Sequence, residues 1–163
     1  MRWNDIIIQA LLVWLLQLVF SDFLSINTIK PDFCVILILY WSIINGRTFG
    51  IISGFLFGLL IDFSGSGLLF GLSPLAYSIT GYLIGSLSKN YSRFNSFYFF
   101  TFWIIILFFH FFIFCSVTYQ GIWEIDRQLF WGKFFGTSIY TLSFAGILQF
   151  ILPLDNFIDA KSR

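Results

Sequence analysis

Gly46-Arg47-Thr48-Phe49-Gly50-Ile51-Ile52-Ser53-Gly54-Phe55-Leu56-Phe57-Gly58-Leu59-Leu60-Ile61-Asp62 sets four glycines at intervals of four in an otherwise apolar run. At 3.6 residues per turn this spacing keeps all four on one helix face. Such a face lets another backbone come close, which is how helices associate where no hydrophobic effect drives their packing. Gly81 and Gly85 repeat the spacing further on, as do Gly132 and Gly136. We expect Gly46, Gly50, Gly54, Gly58, Gly81 and Gly85 to form a helix-packing groove, filled by the chain's own helices or by a partner's.

The surroundings of this run place it in a bilayer. Of 163 residues, 58% are hydrophobic, 23% aromatic and only 10% charged, and the mean hydropathy is +0.88. Globular domains are roughly 45–50% apolar and about 25% charged. The expected class is therefore an all-α integral membrane protein, and at about 20 residues per span the length holds about six spans and no soluble catalytic domain. A net charge of +1 gives no basic footprint for nucleic acid. Cys34 and Cys115 lie in separate apolar runs with no second ligand type beside them, which argues against a disulfide or a metal site.

Working outward, apolar runs cover about 6–24, 31–45, 48–63, 68–87, 97–117 and 134–152 in one transmembrane domain, 1–163. The first lacks an A-x-A-like cleavage site and reads as a retained span. Its amides, Gln9 and Gln17, should face other helices. Pro31-Asp32 suits the opening of the second, with Asp32 at the positive end of the helix dipole. Ser64-Gly65-Ser66-Gly67 reads as a loop, and Pro74 predicts a kink or broken first turn in the fourth run. Residues 119–133 read as an interfacial amphipathic segment anchored by Trp123 and Trp131. Trp3, Trp41 and Tyr91 read as interface anchors too. With six spans, Arg2, Arg47, Lys89, Arg93, Lys161 and Arg163 share one side against Lys30, Arg127 and Lys133 on the other. That asymmetry places both termini in the cytoplasm.

Few residues could carry chemistry. Asp62, just inside the end of an apolar run, is costly unless paired or wet. It reads either as a proton-relay, cation-binding or catalytic carboxylate, or as a loop anchor accepting hydrogen bonds from the backbone of residues 64–67. Asp32 reads as a helix-opening residue, and with Asp22 and Asp62 it could form an outer acidic cluster. His110, in Phe108-Phe109-His110-Phe111-Phe112, reads as a neutral histidine bonded across a helix interface. There is no P-loop, H-E-x-x-H or G-x-S-x-G motif, so an enzyme is not expected.

Lys30-Pro31-Asp32-Phe33 before Ile36-Leu37-Ile38-Leu39-Tyr40-Trp41, then Gly54-Phe55-Leu56-Phe57-Gly58-Leu59-Leu60-Ile61-Asp62, Ser64-Gly65-Ser66, Gly71 and Leu75-Ala76, resembles the rod shape-determining MreD family. The motif residues are Pro31, Asp32, Asp62, Ser64, Gly65 and Gly71, and the likeness spans about residues 30–87. Here Ser64-Gly65 follows Asp62 one residue sooner than in the family pattern, and Pro74 is a further departure. The resemblance implies a non-enzymatic scaffold without cofactors in the bacterial cytoplasmic (inner) membrane. It would organise peptidoglycan synthesis with the bitopic protein MreC, and with RodA, a class B penicillin-binding transpeptidase and the MreB filament. The family is similar in hydropathy and compactness to the S components of energy-coupling-factor transporters, so a vitamin-binding S component is the alternative. Leucine at Gly54 or Gly58 is expected to break assembly or the fold.

Overall fold

The second apolar run is hydrophobic on every side, and a helix of that kind belongs at the centre of a bundle. In the computed structural model, which describes residues 3–26, 29–64, 69–88 and 96–154, it takes that place. Seven helices are found among the described residues: α1 (Trp3–Phe23), α2 (Phe33–Asn45), α3 (Arg47–Phe63), α4 (Leu72–Leu87), α5 (Ser96–Thr118), α6 (Gln120–Ile125) and α7 (Arg127–Ile151). Cys34, Val35, Ile38 and Leu39 of α2 are wholly buried. α1, α3, α4 and α7 all pack against α2, with α3 and α4 the most intimate pair and α5 lying across α4 and α7.

Helix boundaries follow local chemistry. Asp32 caps α2, its Oδ1 accepting from the Val35 N–H at 3.0 Å. Gly46, at φ +87° and ψ 178°, makes the turn between α2 and α3 in a region open essentially to glycine alone. Pro74 is the third residue of α4, where the first backbone N–H groups have no intrahelical acceptor. The helix therefore starts at Leu72 with the proline inside its first turn.

Two expectations are corrected here. The segment 119–133 is not one continuous element but α6 followed by the first turns of α7. It divides at Asp126, whose carboxylate accepts from the N–H groups of Gln128 (2.9 Å) and Leu129 (3.1 Å) and so starts α7 at Arg127 rather than near residue 134. Trp41 is not an interface anchor: it is 3% exposed, packs on Phe49 and Phe57, and donates its indole N–H to Gln9 Oε1 at 3.0 Å. Trp123 and Trp131 keep partly exposed rings, with the Arg127 guanidinium 5.6 Å above Trp123. Tyr91 lies outside the described residues, as does the Trp3 side chain.

Residues 100–118 and 127–151 are long and apolar enough to cross a membrane, and residues 6–21 and 33–45 are apolar but shorter. The outward faces match a lipid environment. Ile7, Ile8, Leu11, Leu12 and Leu15 on α1, Ile52, Phe55 and Leu56 on α3, and Ile139 and Ile147 on α7 are all about half exposed. A soluble chain would not leave so much contiguous apolar surface in water.

Candidate functional site

The glycines of α3 and α4 meet each other. A Cβ on Gly54 would lie 2.5 Å from the Tyr77 carbonyl oxygen, and one on Gly50 would lie 2.5 Å from the Gly81 carbonyl oxygen. At Gly58 it would strike the Pro74 backbone, at Gly81 the Gly50 carbonyl, and at Gly85 the Arg47 backbone. Five glycines thus bring two backbones into direct contact, and the occupant of this groove is the chain's own helix. Gly46 belongs to the α2–α3 turn instead: a Cβ there meets nothing, and its positive φ is what calls for glycine. Gly132 faces open space, and Gly136 is covered by the Ile29 side chain rather than by a helix. The Ile29 backbone is fixed by reciprocal bonds with Ile26 at 2.9 and 3.0 Å.

The polar residues converge on Asp32. Its backbone N–H donates to Thr141 Oγ1 of α7 at 3.1 Å, and its Oδ2 accepts from the Tyr77 hydroxyl of α4. His110 of α5 lies with Nε2 3.9 Å from that same oxygen and its Nδ1 2.9 Å from Thr80 Oγ1. Thr80 spends its hydroxyl proton on the Ala76 carbonyl at 2.8 Å. Its oxygen is therefore the acceptor and His110 Nδ1–H the donor, which assigns the tautomer from the bonding pattern. Gln17 of α1 closes the arrangement, accepting from the Phe33 N–H at 2.7 Å and donating to the Pro31 carbonyl at 3.4 Å. Asp32 and its neighbours thereby tie α1, α2, α4, α5 and α7 together at one level of the bundle.

Asp62 stands apart from that centre. It is buried at 8% exposure, and its Oδ2 accepts from the Gly71 N–H at 2.6 Å. Among the described residues the donor is Gly71, at the far end of the loop; of the residues 64–67 from which the loop-anchor reading expects donors, 65–67 lie outside the described residues. Gly71 has φ +100° and opens α4, so this bond ties the end of α3 to the start of α4. Ser64 closes α3 with its hydroxyl on the Ile61 carbonyl at 2.7 Å. Gly65 lies outside the described residues, as does the Asp22 side chain that the expected acidic cluster needs.

Asp32 is held by Tyr77, and His110 by Thr80, between helices. Sequence reasoning missed Tyr77 altogether. Its only signal is a hydroxyl in the stretch that opposes the glycine face, and nothing local marks Asp32, 45 residues earlier, as its partner.

Fold and site together define an all-helical membrane protein whose polar residues bind helices to one another. The model of the family described as rod shape-determining protein MreD matches residues 1–154, and the chain belongs to that family. It is accordingly a membrane component that determines rod shape, in a family of structural proteins. No curated protein matches the chain, and no solved structure does. Nothing found supports the transporter S-component alternative.

Proposed function

We propose that the protein is a non-enzymatic scaffold of the bacterial elongation complex, multi-pass in the cytoplasmic membrane, which docks MreC and through it the cell-wall synthases. The observation that carries this reading is the use made of its polar residues: Asp32, Tyr77, His110 and Gln17 are all engaged in joining helices. The connections between helices are short, so docking takes place mostly within the bilayer. With the glycine seam filled by α4, the surfaces left for a partner are the exposed apolar faces of α1, α3, α5 and α7. RodA, a class B transpeptidase and the MreB filament complete the assembly in this reading.

Six helices, α1 to α5 and α7, cross the membrane in this proposal, with both termini in the cytoplasm as the lysine and arginine distribution favours. α2 has 13 residues and rises only about 20 Å against a hydrocarbon core of about 30 Å. Flanked by other helices, so short a span is accommodated by local thinning of the bilayer.

The test is a mild-detergent pull-down of the tagged protein from its native membrane, with mass spectrometry of what accompanies it. Recovery of MreC with cell-wall synthases supports the scaffold. Recovery of paired ATPases with a transporter scaffold would replace it.

A further inference from the structure

His110 is the one histidine in the chain, and its ring is engaged at one nitrogen only. Nδ1–H donates to Thr80 Oγ1, so in the neutral imidazole Nε2 carries a lone pair and can only accept. That atom is buried and has no hydrogen-bond partner among the described residues. Facing it at 3.9 Å is Asp32 Oδ2, itself an acceptor, which already receives the Tyr77 hydroxyl. Two acceptors therefore look at each other across a gap longer than a hydrogen bond, where leaving a bond unmade is costly.

One added proton satisfies both atoms. With Nε2 protonated, the imidazolium donates at both nitrogens, to Thr80 and to Asp32, and a carboxylate oxygen has lone-pair room for a second donor beside Tyr77. A charge-assisted N–H···O bond closes to about 2.7–2.9 Å, so α5 and the start of α2 need approach by only about 1 Å. The charge balance favours the same step. Neutral imidazole beside a carboxylate leaves the pair with one negative charge in a largely buried place, which is expensive, whereas the protonated pair is neutral. The proton also has a way in. Asp32 keeps 15% of its side chain exposed and, with Tyr77, lines a partly open cleft of about 380 Å³ between α1 and α5.

We propose that His110 and Asp32 form a proton-binding site at the centre of the bundle. A proton delivered by water through the cleft adds to the Nε2 lone pair and forms an N–H bond; no bond within the protein breaks, and the pair goes from one negative charge to none. Unloaded, His110 holds α5 to α4 through Thr80. Loaded, it also holds α5 to α2. The site does not depend on the scaffold reading, since it is built from contacts within the chain.

The other titratable groups near the pair are Tyr77 of α4, Cys34 of α2 and, beyond Tyr77, Asp62 of α3, all within electrostatic reach of one another. The cleft wall adds Cys115 of α5, Tyr119 and Lys30, the last engaged in an interaction of its own. From α1 and α7 the nearest polar groups are Gln17 and Thr141, which do not titrate. Thiols, phenols and amines ordinarily change charge above about pH 8. Between about pH 4 and 8 the imidazole and the carboxylates are left.

A lone histidine makes the test direct. The full chain, labelled with ¹⁵N-histidine and reconstituted in phosphatidylcholine bilayers, is followed by nitrogen NMR from about pH 8 down to about pH 4. A bare and a protonated ring nitrogen resonate far apart, and two protonated nitrogens close together. The expected result is one bare nitrogen, Nε2, at the alkaline end and a single transition to two protonated nitrogens on acidification. Asp32→Asn keeps a residue suited to opening α2 but removes the facing charge, so the transition should need about tenfold more acid or beyond. Tyr77→Phe frees Asp32 Oδ2 from a competing donor and should move the transition the other way, which keeps the test decisive if Asp32→Asn does not fold. A bare Nε2 at every pH, a neutral form protonated at Nε2 instead of Nδ1, or a transition that neither variant moves would overturn the proposal.

Discussion

Gly54→Ala adds one methyl group where α3 crosses α4, and the structure fixes what that group meets. Its carbon would lie 2.5 Å from the Tyr77 carbonyl oxygen, 2.7 Å from the carbonyl carbon and 2.9 Å from the Ser78 nitrogen, where ordinary contacts begin at 3.4 Å. All three atoms are backbone, so no rotamer change relieves the clash and the seam must open by about 1 Å. A gap of that order forfeits about a quarter to a half of the dispersion energy of each contact it opens. Overpacking costs about 1–3 kcal/mol, and with rigid backbone on both sides we place Gly54→Ala at the upper end, about 3 kcal/mol. Gly132→Ala is the control, because a Cβ there meets nothing and alanine is favoured over glycine in a helix by about 1 kcal/mol. Reversible unfolding in mixed micelles, followed by helical circular dichroism, compares the two variants directly. The propensity gain is common to both helix-interior sites, so a separation of about 3 kcal/mol is expected. If Gly54→Ala is as stable as Gly132→Ala, the close approach of α3 and α4 is not what holds this bundle together.

Gly46→Ala should cost about 1–3 kcal/mol in the same titration although a Cβ there is unobstructed, because the backbone must keep φ at +87°. Tyr77→Phe removes the hydroxyl that Asp32 Oδ2 accepts from and should cost about 1–3 kcal/mol. A much smaller loss in Tyr77→Phe when Asp32→Asn is also present would show that the two residues act as a pair. Asp62→Asn keeps an acceptor for the Gly71 N–H, so cells carrying it should remain rods. Round cells at normal protein abundance would show that the charge itself is needed.

The α3–α4 seam was legible because glycines four apart in an apolar run define a face with no other use, and Gly81 and Gly85 supply the matching face. The same periodicity misleads at Gly46, where the spacing continues unbroken through a turn and only φ separates a packing glycine from a conformational one. Gly132 shows the related limit: spacing says which residues share a face, not whether anything covers it. Asp32 was readable as a helix-opening residue because capping is local. Its bonds to Tyr77 and Thr141 cross 45 and 109 residues and leave no trace in the sequence near either end. Trp41 was misread because a tryptophan near the end of an apolar run suits a membrane interface and a buried indole bonded to Gln9 equally well. α7 began earlier than its hydropathy suggests because Asp126 caps a polar first turn, which a hydropathy window averages away.

The central claim is that partners dock on the apolar faces within the bilayer rather than on the connecting segments. Photocrosslinking amino acids placed in living cells at Leu15 on α1, Phe55 on α3, Ile105 on α5 and Ile147 on α7, each more than half exposed or nearly so, test it most directly, with Ile26 and Ile125 as the connecting-segment positions. The account predicts adducts with MreC from one contiguous set of intramembrane positions. Adducts from Ile26 or Ile125 alone would contradict it.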